Sequence, residues 1–264
     1  NDSKEFVVQG STPQGSYIVS SDGKVLQKVT GYFDTFTIPS GVTTVELGAF
    51  ASCKINSFIY DRDVNWKISL SKGTFPMENT GISAITIGSS VSSIPNYLFA
   101  KTNIKSIIIP ASVETIGTKA FYLCDELETV LVDSDSHLTT IGQYAFSSNN
   151  KLREVTFISS HEGYDCSILR GGFFLNPALV KVNVENGFNL ISIGDLAFTK
   201  ENKNRMPDIS DVDKWSSVVN VNSDDGIAVP ASVNSIGFAA FSWIDNIPRG
   251  EKEPGMNTMP ENIK

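Results

Sequence analysis

Histidine occurs twice and cysteine three times in 264 residues, and that scarcity removes most familiar side-chain chemistry. His137 sits in Asp133-Ser134-Asp135-Ser136-His137 and His161 in Ser159-Ser160-His161-Glu162. Neither belongs to a metalloprotease helix, a nucleophile elbow or a Cys/His pair with recognisable context, so both read as solvated loop residues. Cys53, Cys124 and Cys166 make an odd number, which leaves at least one thiol unpaired in a monomer. Cys53 and Cys124 each follow a Phe by three residues, and both are expected to point inward, at separate levels, as small buried side chains. Long apolar runs are absent too: no stretch approaches the roughly 18 residues of a membrane-spanning helix. Lys and Arg nowhere cluster, and the net charge is −8 with a pI near 4.8. A nucleic-acid backbone would therefore find no complementary surface, and the acidic balance serves solubility. Gly171-Gly172 lacks the Lys-Ser/Thr of a phosphate loop. Asn220-x-Asn222-x-Asp224-Asp225-Gly226 resembles a calcium loop in part, but its Gly is one place late and Ala231 stands where a bidentate Glu is required. Asp133/Asp135 and Asp208/Asp211/Asp213 read as solvated acidic faces. No cofactor or metal is implied, and the chain is not expected to be an enzyme.

What the chain does have is a repeat. An apolar residue five places before a Phe recurs as Val45/Phe50, Leu70/Phe75, Ile94/Phe99, Ile116/Phe121, Ile141/Phe146, Leu169/Phe174, Ile193/Phe198 and Ile236/Phe241. Successive Phe stand 25, 24, 22, 25, 28, 24 and 43 residues apart, and six consecutive steps in so narrow a range define a solenoid period. Upstream of each pair lies a strand pattern, clearest in Ile104-x-x-Ile107-x-Ile109 and repeated at Leu127/Val130/Val132, Leu152/Val155/Phe157 and Leu179/Val182/Val184. Its alternation buries one face of an extended segment and exposes the other. Equivalent strands are expected to stack in parallel about 4.8 Å apart. Pro39, Pro110 and Pro230 lack the N–H that would continue the ladder. Val113, Ile116, Ala120 and Phe121 fill the return leg, and Gly117, Gly142, Gly194 and Gly237 are expected to relieve a tight turn.

The expected fold is therefore a mainly β solenoid of about eight repeats, capped at both ends. Residues 1–33 do not match the repeat; strand-like segments around Ser21-Asp22-Gly23 read as an N-terminal hairpin cap. Residues 34–199 form the body, with an eroded second copy, Ile-Pro instead of Ile-Gly in the third, and a sixth stretched around Ser159–Tyr164. An insertion spans 200–226, a last repeat 227–241, and a Pro-containing cover or tail 242–264.

The pattern Ile-x-Ile-Pro-x-x-Val-x-x-Ile-Gly-x-x-Ala-Phe-x-x-Cys, carried by Ile107–Cys124, Val130–Phe146, Val182–Phe198 and Ile227–Phe241, resembles the BspA-like leucine-rich repeat, a bacterial class with a period of about 23. The resemblance implies an arc with its parallel sheet on the concave side. It also implies an exported bacterial protein, at the cell surface or on a periplasm-facing outer membrane. Members are often lipid-anchored, here through residues upstream of Asn1, and several act as adhesins or protein-binding modules.

The candidate site is the outward face of that sheet. Its central column is Thr37, Ile59, Thr86, Ile108, Leu131, Thr156 and Asn183, beside Asn56, Ser57, Lys105, Glu128, Arg153, Glu154 and Lys181. Apolar Ile59, Ile108 and Leu131 among hydroxyls suit a protein partner on a host or neighbouring cell. Trp215 in the insertion is either a recognition anchor or the centre of a small local core. A carbohydrate-binding accessory role, with Trp215, Tyr60 or Trp243 stacking on sugar, is the alternative, and a purely structural repeat region is another.

Overall fold

Only a period of two places Ile107 and Ile109 on one side of the chain, so each copy of that pattern must be extended. In the computed structural model, which describes residues 3–7, 15–69, 75–158, 164–185, 187–199, 230, 232–237 and 240, each described copy is a strand, and no described residue is helical. The strands begin with β1 (Lys4–Val7), β2 (Ser16–Val19), β3 (Val25–Thr37), β4 (Thr44–Val45), β5 (Ser52–Arg62) and β6 (Asn65–Trp66). The next are β7 (Ala84–Ser90), β8 (Ser93–Ile94), β9 (Ser106–Ile109), β10 (Thr115–Ile116), β11 (Thr129–Val132) and β12 (Thr140–Ile141). The series ends with β13 (Glu154–Phe157), β14 (Cys166–Ile168), β15 (Lys181–Val184), β16 (Leu190–Ile193) and β17 (Ser235–Ile236).

From β3 onward the coils pair like with like, in parallel. A primary sheet runs β3–β5–β7 and then β9–β11–β13–β15. A second sheet on the return leg runs β4–β6 and then β8–β10–β12–β14–β16–β17. Among the described residues the primary sheet marks seven coils, and β17 marks an eighth. At the start, β1, β2 and β3 form an antiparallel meander. Its Asp22–Gly23 turn is closed by bonds from Ser20 Oγ (2.5 Å) and the Lys24 N–H (3.0 Å) to the Asp22 carboxylate. β3 continues without interruption into the first coil, so the meander covers what would otherwise be an open sheet edge.

The interior is a stack of rings, one per coil: Phe99, Phe121, Phe146, Phe173 and Phe198 follow one another at 5.5, 4.9, 5.1 and 5.2 Å. That separation is close to the strand spacing, because each ring is carried by one coil. Two ring assignments need correction. In the sixth coil the buried pair is Ile168 and Phe173; Leu169 is exposed, and Phe174 packs edge-on against Tyr144 instead. In the second coil Met77 takes the ring's seat, fully buried, while Phe75 lies half-buried against Tyr97 and Tyr122. In the second coil the seat lies two residues beyond the expected Phe75, and in the sixth Ile168/Phe173 and Leu169/Phe174 fit the same five-residue spacing.

The turn around each ring is held in left-handed backbone by ordinary residues: Tyr97, Lys119, Tyr144 and Leu196 before it, Asn79, Lys101, Leu123, Ser148 and Leu175 after it. The conserved-looking glycines of the second sheet therefore serve a different purpose from the one expected of them. None of Gly117, Gly142, Gly194 and Gly237 has a positive φ. A Cβ on Gly142 would lie 2.7 Å from the backbone of Gly117, and one on Gly117 2.6 Å from the Asn96 nitrogen. Close passage of neighbouring coils, not turn dihedrals, demands them.

The place three residues after the ring is occupied by Cys53, Thr80, Thr102, Cys124, Asn149 or Asn176, all buried. Thr80 and Thr102 donate to the carbonyl of their own coil's ring residue at 2.7 and 2.9 Å, and the Cys53 thiol does so at 3.3 Å. Asn149 reaches further: its Nδ2 donates to Phe146 O (2.8 Å), and its Oδ1 accepts from the Cys124 N–H of the preceding coil (2.7 Å). Asn176 repeats this, donating to Phe173 O and accepting from the Asn149 N–H. One seat thus tolerates thiol, hydroxyl or amide, provided the turn carbonyl finds a donor.

Candidate functional site

Alternation along the primary strands aims every second residue outward, and the registers align those residues between coils. Thr37 faces Ile59, and Ile59 faces Thr86. Ile108 faces Leu131, then come Thr156 and Asn183. The predicted column is therefore assembled in two pieces, because β7 and β9 share no ladder pairing; a bond from the Asn103 N–H to Ile82 O (2.8 Å) joins the coils just ahead of them. Ile108 is 55 % exposed, whereas Ile59 and Leu131 are half-buried between their neighbours.

The charged residues beside this column neutralise one another between coils. Arg153 Nη2 is 3.2 Å from Glu128 Oε2, Lys181 Nζ 2.7 Å from Glu154 Oε1, and Lys151 Nζ 2.7 Å from Glu126 Oε2. Lys105 leads into the same edge, its carbonyl accepting the Glu128 N–H. On the same edge in the earlier coils Asn56 bonds to Asp34 and to Ser83. The face is a stripe of hydroxyls and branched apolar groups with a self-paired polar margin.

Comparison with known proteins places this architecture. The sequence profile of the BspA type leucine rich repeat region matches residues 28–75 and 68–205, with six copies. The chain belongs to that family. Among solved structures it is similar to a leucine rich repeat protein of T. pallidum, at 19% identity, 73% of this chain and 88% of that one, with a TM-score of 0.50. Weaker likenesses are to a leucine-rich repeat protein from Eubacterium ventriosum (14%, 97% and 99%, TM-score 0.31) and a leucine rich cell surface protein from Faecalibacterium prausnitzii (15%, 88% and 94%, TM-score 0.28). No curated protein matches the sequence.

Elsewhere in this BspA-type solenoid the titratable groups are dispersed. Among the described residues no three His, Cys, Asp or Glu side chains come together to hold a metal, and no helix is long and apolar enough to cross a membrane. His137 lies on the surface with its ring 4.9 Å from that of Tyr164. The three thiols are buried and free, and burial pushes Cys53 and Cys166 up to about 12 and Cys124 to about 11. Thiolate chemistry at neutral pH is therefore suppressed. Trp215, Trp243, His161, the partial calcium loop, the insertion and the tail lie outside the described residues. Tyr60 cannot stack on a sugar: its ring is fully buried between Trp66 and Phe99.

One feature of the site region escaped sequence reasoning. In the regular coils the glycine after the second-sheet Ile donates to the previous coil, as Gly117 N–H does to Ile94 O and Gly142 N–H to Ile116 O, both at 2.8 Å. Pro95 holds that place in the third coil and has no N–H to give, and β6 and β8 are unpaired there. The Asp63 carboxylate stands in, accepting from the N–H groups of Ser92 and Ser93 at 3.1 and 3.3 Å. The Ile-Pro dipeptide was the available signal.

Proposed function

We propose that the protein is a non-catalytic, exported binding module that engages a protein on a host or neighbouring cell through the outward face of its primary sheet, with a lipid anchor at the bacterial surface. The observation that carries this reading is Ile108, a 55 % exposed branched side chain at the start of an in-register stripe beside which Arg153 pairs with Glu128 and Lys181 with Glu154. A flat, rigid face with an uncharged centre and a polar margin has the anatomy of a protein interface. A small ligand would call for a deep cavity with convergent polar groups.

The test compares adherence of labelled protein to intact cells and to cells shaved with protease. The unmodified chain should bind intact cells and lose binding after shaving. Ile108→Asp combined with Leu131→Asp should abolish binding while leaving the β circular dichroism unchanged. Undiminished adherence of the folded double variant assigns the contact to another surface. Fractionation of the producing cells, with protease accessibility of the chain on intact bacteria, tests the location.

A further inference from the structure

The interruption at Pro95 opens a shallow trough on the second sheet, about 830 Å³ in volume, within the range of ligand sites. Its floor follows Pro95, Gly117 and Gly142, the last two without a side chain. One wall is a hydroxyl row: Ser93, Thr115 and Thr140 are in register on adjacent strands, and the first two are bonded at 2.9 Å. Trp66 stands at one end, and at the other the 38 % exposed Leu169, which occupies the glycine place of its own coil. Between them lie about four coil steps, so the trough is about 19 Å long.

Beneath it, out of reach of solvent, Tyr60 Oη and Trp66 Nε1 lie without a well-formed hydrogen bond. Tyr60 is 0 % exposed, and such a group left unmet is costly. Among the described residues the lining contains no Lys, Arg or His, and its one carboxylate, Asp63, is already used by Ser92 and Ser93. An anion would find no counter-charge here, and a cation only a committed one. A peptide would find no free strand edge on the floor, because the Gly117 and Gly142 N–H groups are spent within the sheet and Pro95 has none. What remains is a linear file of hydroxyls that donate and accept, with an indole at one end. We propose that this trough binds a neutral, linear oligosaccharide lying along the solenoid axis. Its hydroxyls bond to the Ser93–Thr115–Thr140 row, and a ring face rests against Trp66 at the end of the trough.

Titration calorimetry of the full chain with cellohexaose, maltohexaose and chitohexaose tests this, with a heparin hexasaccharide as the acidic control. At least one neutral hexasaccharide should bind and the heparin fragment should not. Thr115→Val with Thr140→Val should weaken that binding about tenfold or more. Ser93→Ala carries the same test should the double variant not fold. Ile108→Asp, on the other sheet, should leave sugar affinity unchanged, which keeps this result separate from the protein-binding reading. Silence of all three neutral sugars, preference for heparin, full affinity in the hydroxyl variants, or loss of affinity in Ile108→Asp would each overturn the assignment.

Discussion

The two ends of the ring stack are built differently. From Phe121 to Phe198 successive rings are parallel within 3–4°. Before Phe99 most of them cross: Phe36 on Phe50 at 90°, Phe50 on Phe58 at 84°, Phe58 on Phe99 at 65° and Tyr60 on Phe99 at 79°, while Phe36 and Phe58 on adjacent primary strands stay within 13°. The cause is the second coil. Its ring seat holds Met77, so Phe99 has no ring one coil below it, and Phe58 and Tyr60 from the primary strand, with Trp66 from the return strand, occupy the space. A constant period yields one ring per coil and parallel stacking; a lapse forces neighbours to improvise, and the same coil is where the second sheet parts.

The largest test of that contrast is Phe146→Ala, which removes a ring sandwiched at 4.9 and 5.1 Å between two others. It should cost about 3–5 kcal/mol, read as a lower midpoint in urea denaturation. Met77→Ala should fall at the lower end of the about 2–5 kcal/mol known for such truncations, since crossed rings beside it can settle inward. Equal losses would mean that the parallel stack confers nothing extra.

Next in size is the seat three residues on. Asn149→Ala strips the buried Cys124 N–H of its partner in the preceding coil and leaves the Phe146 carbonyl with Asn176 Nδ2 alone, at 2.9 Å. A loss of about 1–3 kcal/mol is expected. Cys53→Ala in the irregular end removes one weak thiol donor within a single coil and should cost under about 1.5 kcal/mol. A smaller loss for Asn149→Ala than for Cys53→Ala would refute the bridging role.

Met77→Phe sharpens the comparison from the other side. If Met77 were merely a poorer version of Phe, restoring the ring would stabilise the chain. Because Phe58, Tyr60 and Trp66 already fill the region, overpacking of about 1–3 kcal/mol is expected instead, and a rise in melting temperature would contradict it.

The same contrast marks what was legible in the sequence. Ile107-Ile108-Ile109 declared its strand and its buried side by alternation alone, and the outward column followed from it coil by coil. The seats at Met77 and Phe173 were hidden because a Phe stood nearby at a similar count, and only left-handed residues at Asn79, Gly171 and Leu175 locate the turn. Thr102 and Asn149 looked like losses of a Cys consensus, yet they make the same backbone bond, because the seat selects a donor rather than a sulfur. The trough was invisible for a different reason: it depends on what Pro95 omits between two coils, and Tyr60 looked like a surface aromatic until its ring was found enclosed.

The smallest effect separates the two regions electrostatically. Burial raises the Glu78 carboxyl, but the bonds from Lys101 Nζ (2.7 Å) and the Phe75 N–H (3.2 Å) together hold it below the ordinary 4.5. A depressed folded value means that the unfolded chain takes up the proton first as the pH falls. The stability from this pair is therefore complete above about pH 4.5 and disappears as the pH drops through the lower folded value. Glu126 in the regular coils is also lowered, by its bond to Lys151, yet that pair lies in solvent, with side-chain exposures of 41 and 52 % against 19 and 35 % for Glu78 and Lys101. Glu78→Gln should cost about 0.5–1 kcal/mol at pH 7 and progressively less as the pH falls below 4.5, whereas Glu126→Gln should leave the urea midpoint unmoved throughout. Equal sensitivity of the two variants at pH 7 would show that the enclosure of Glu78 by Phe75 and Lys101, the irregular end's substitute for regular stacking, contributes no more than an exposed surface pair.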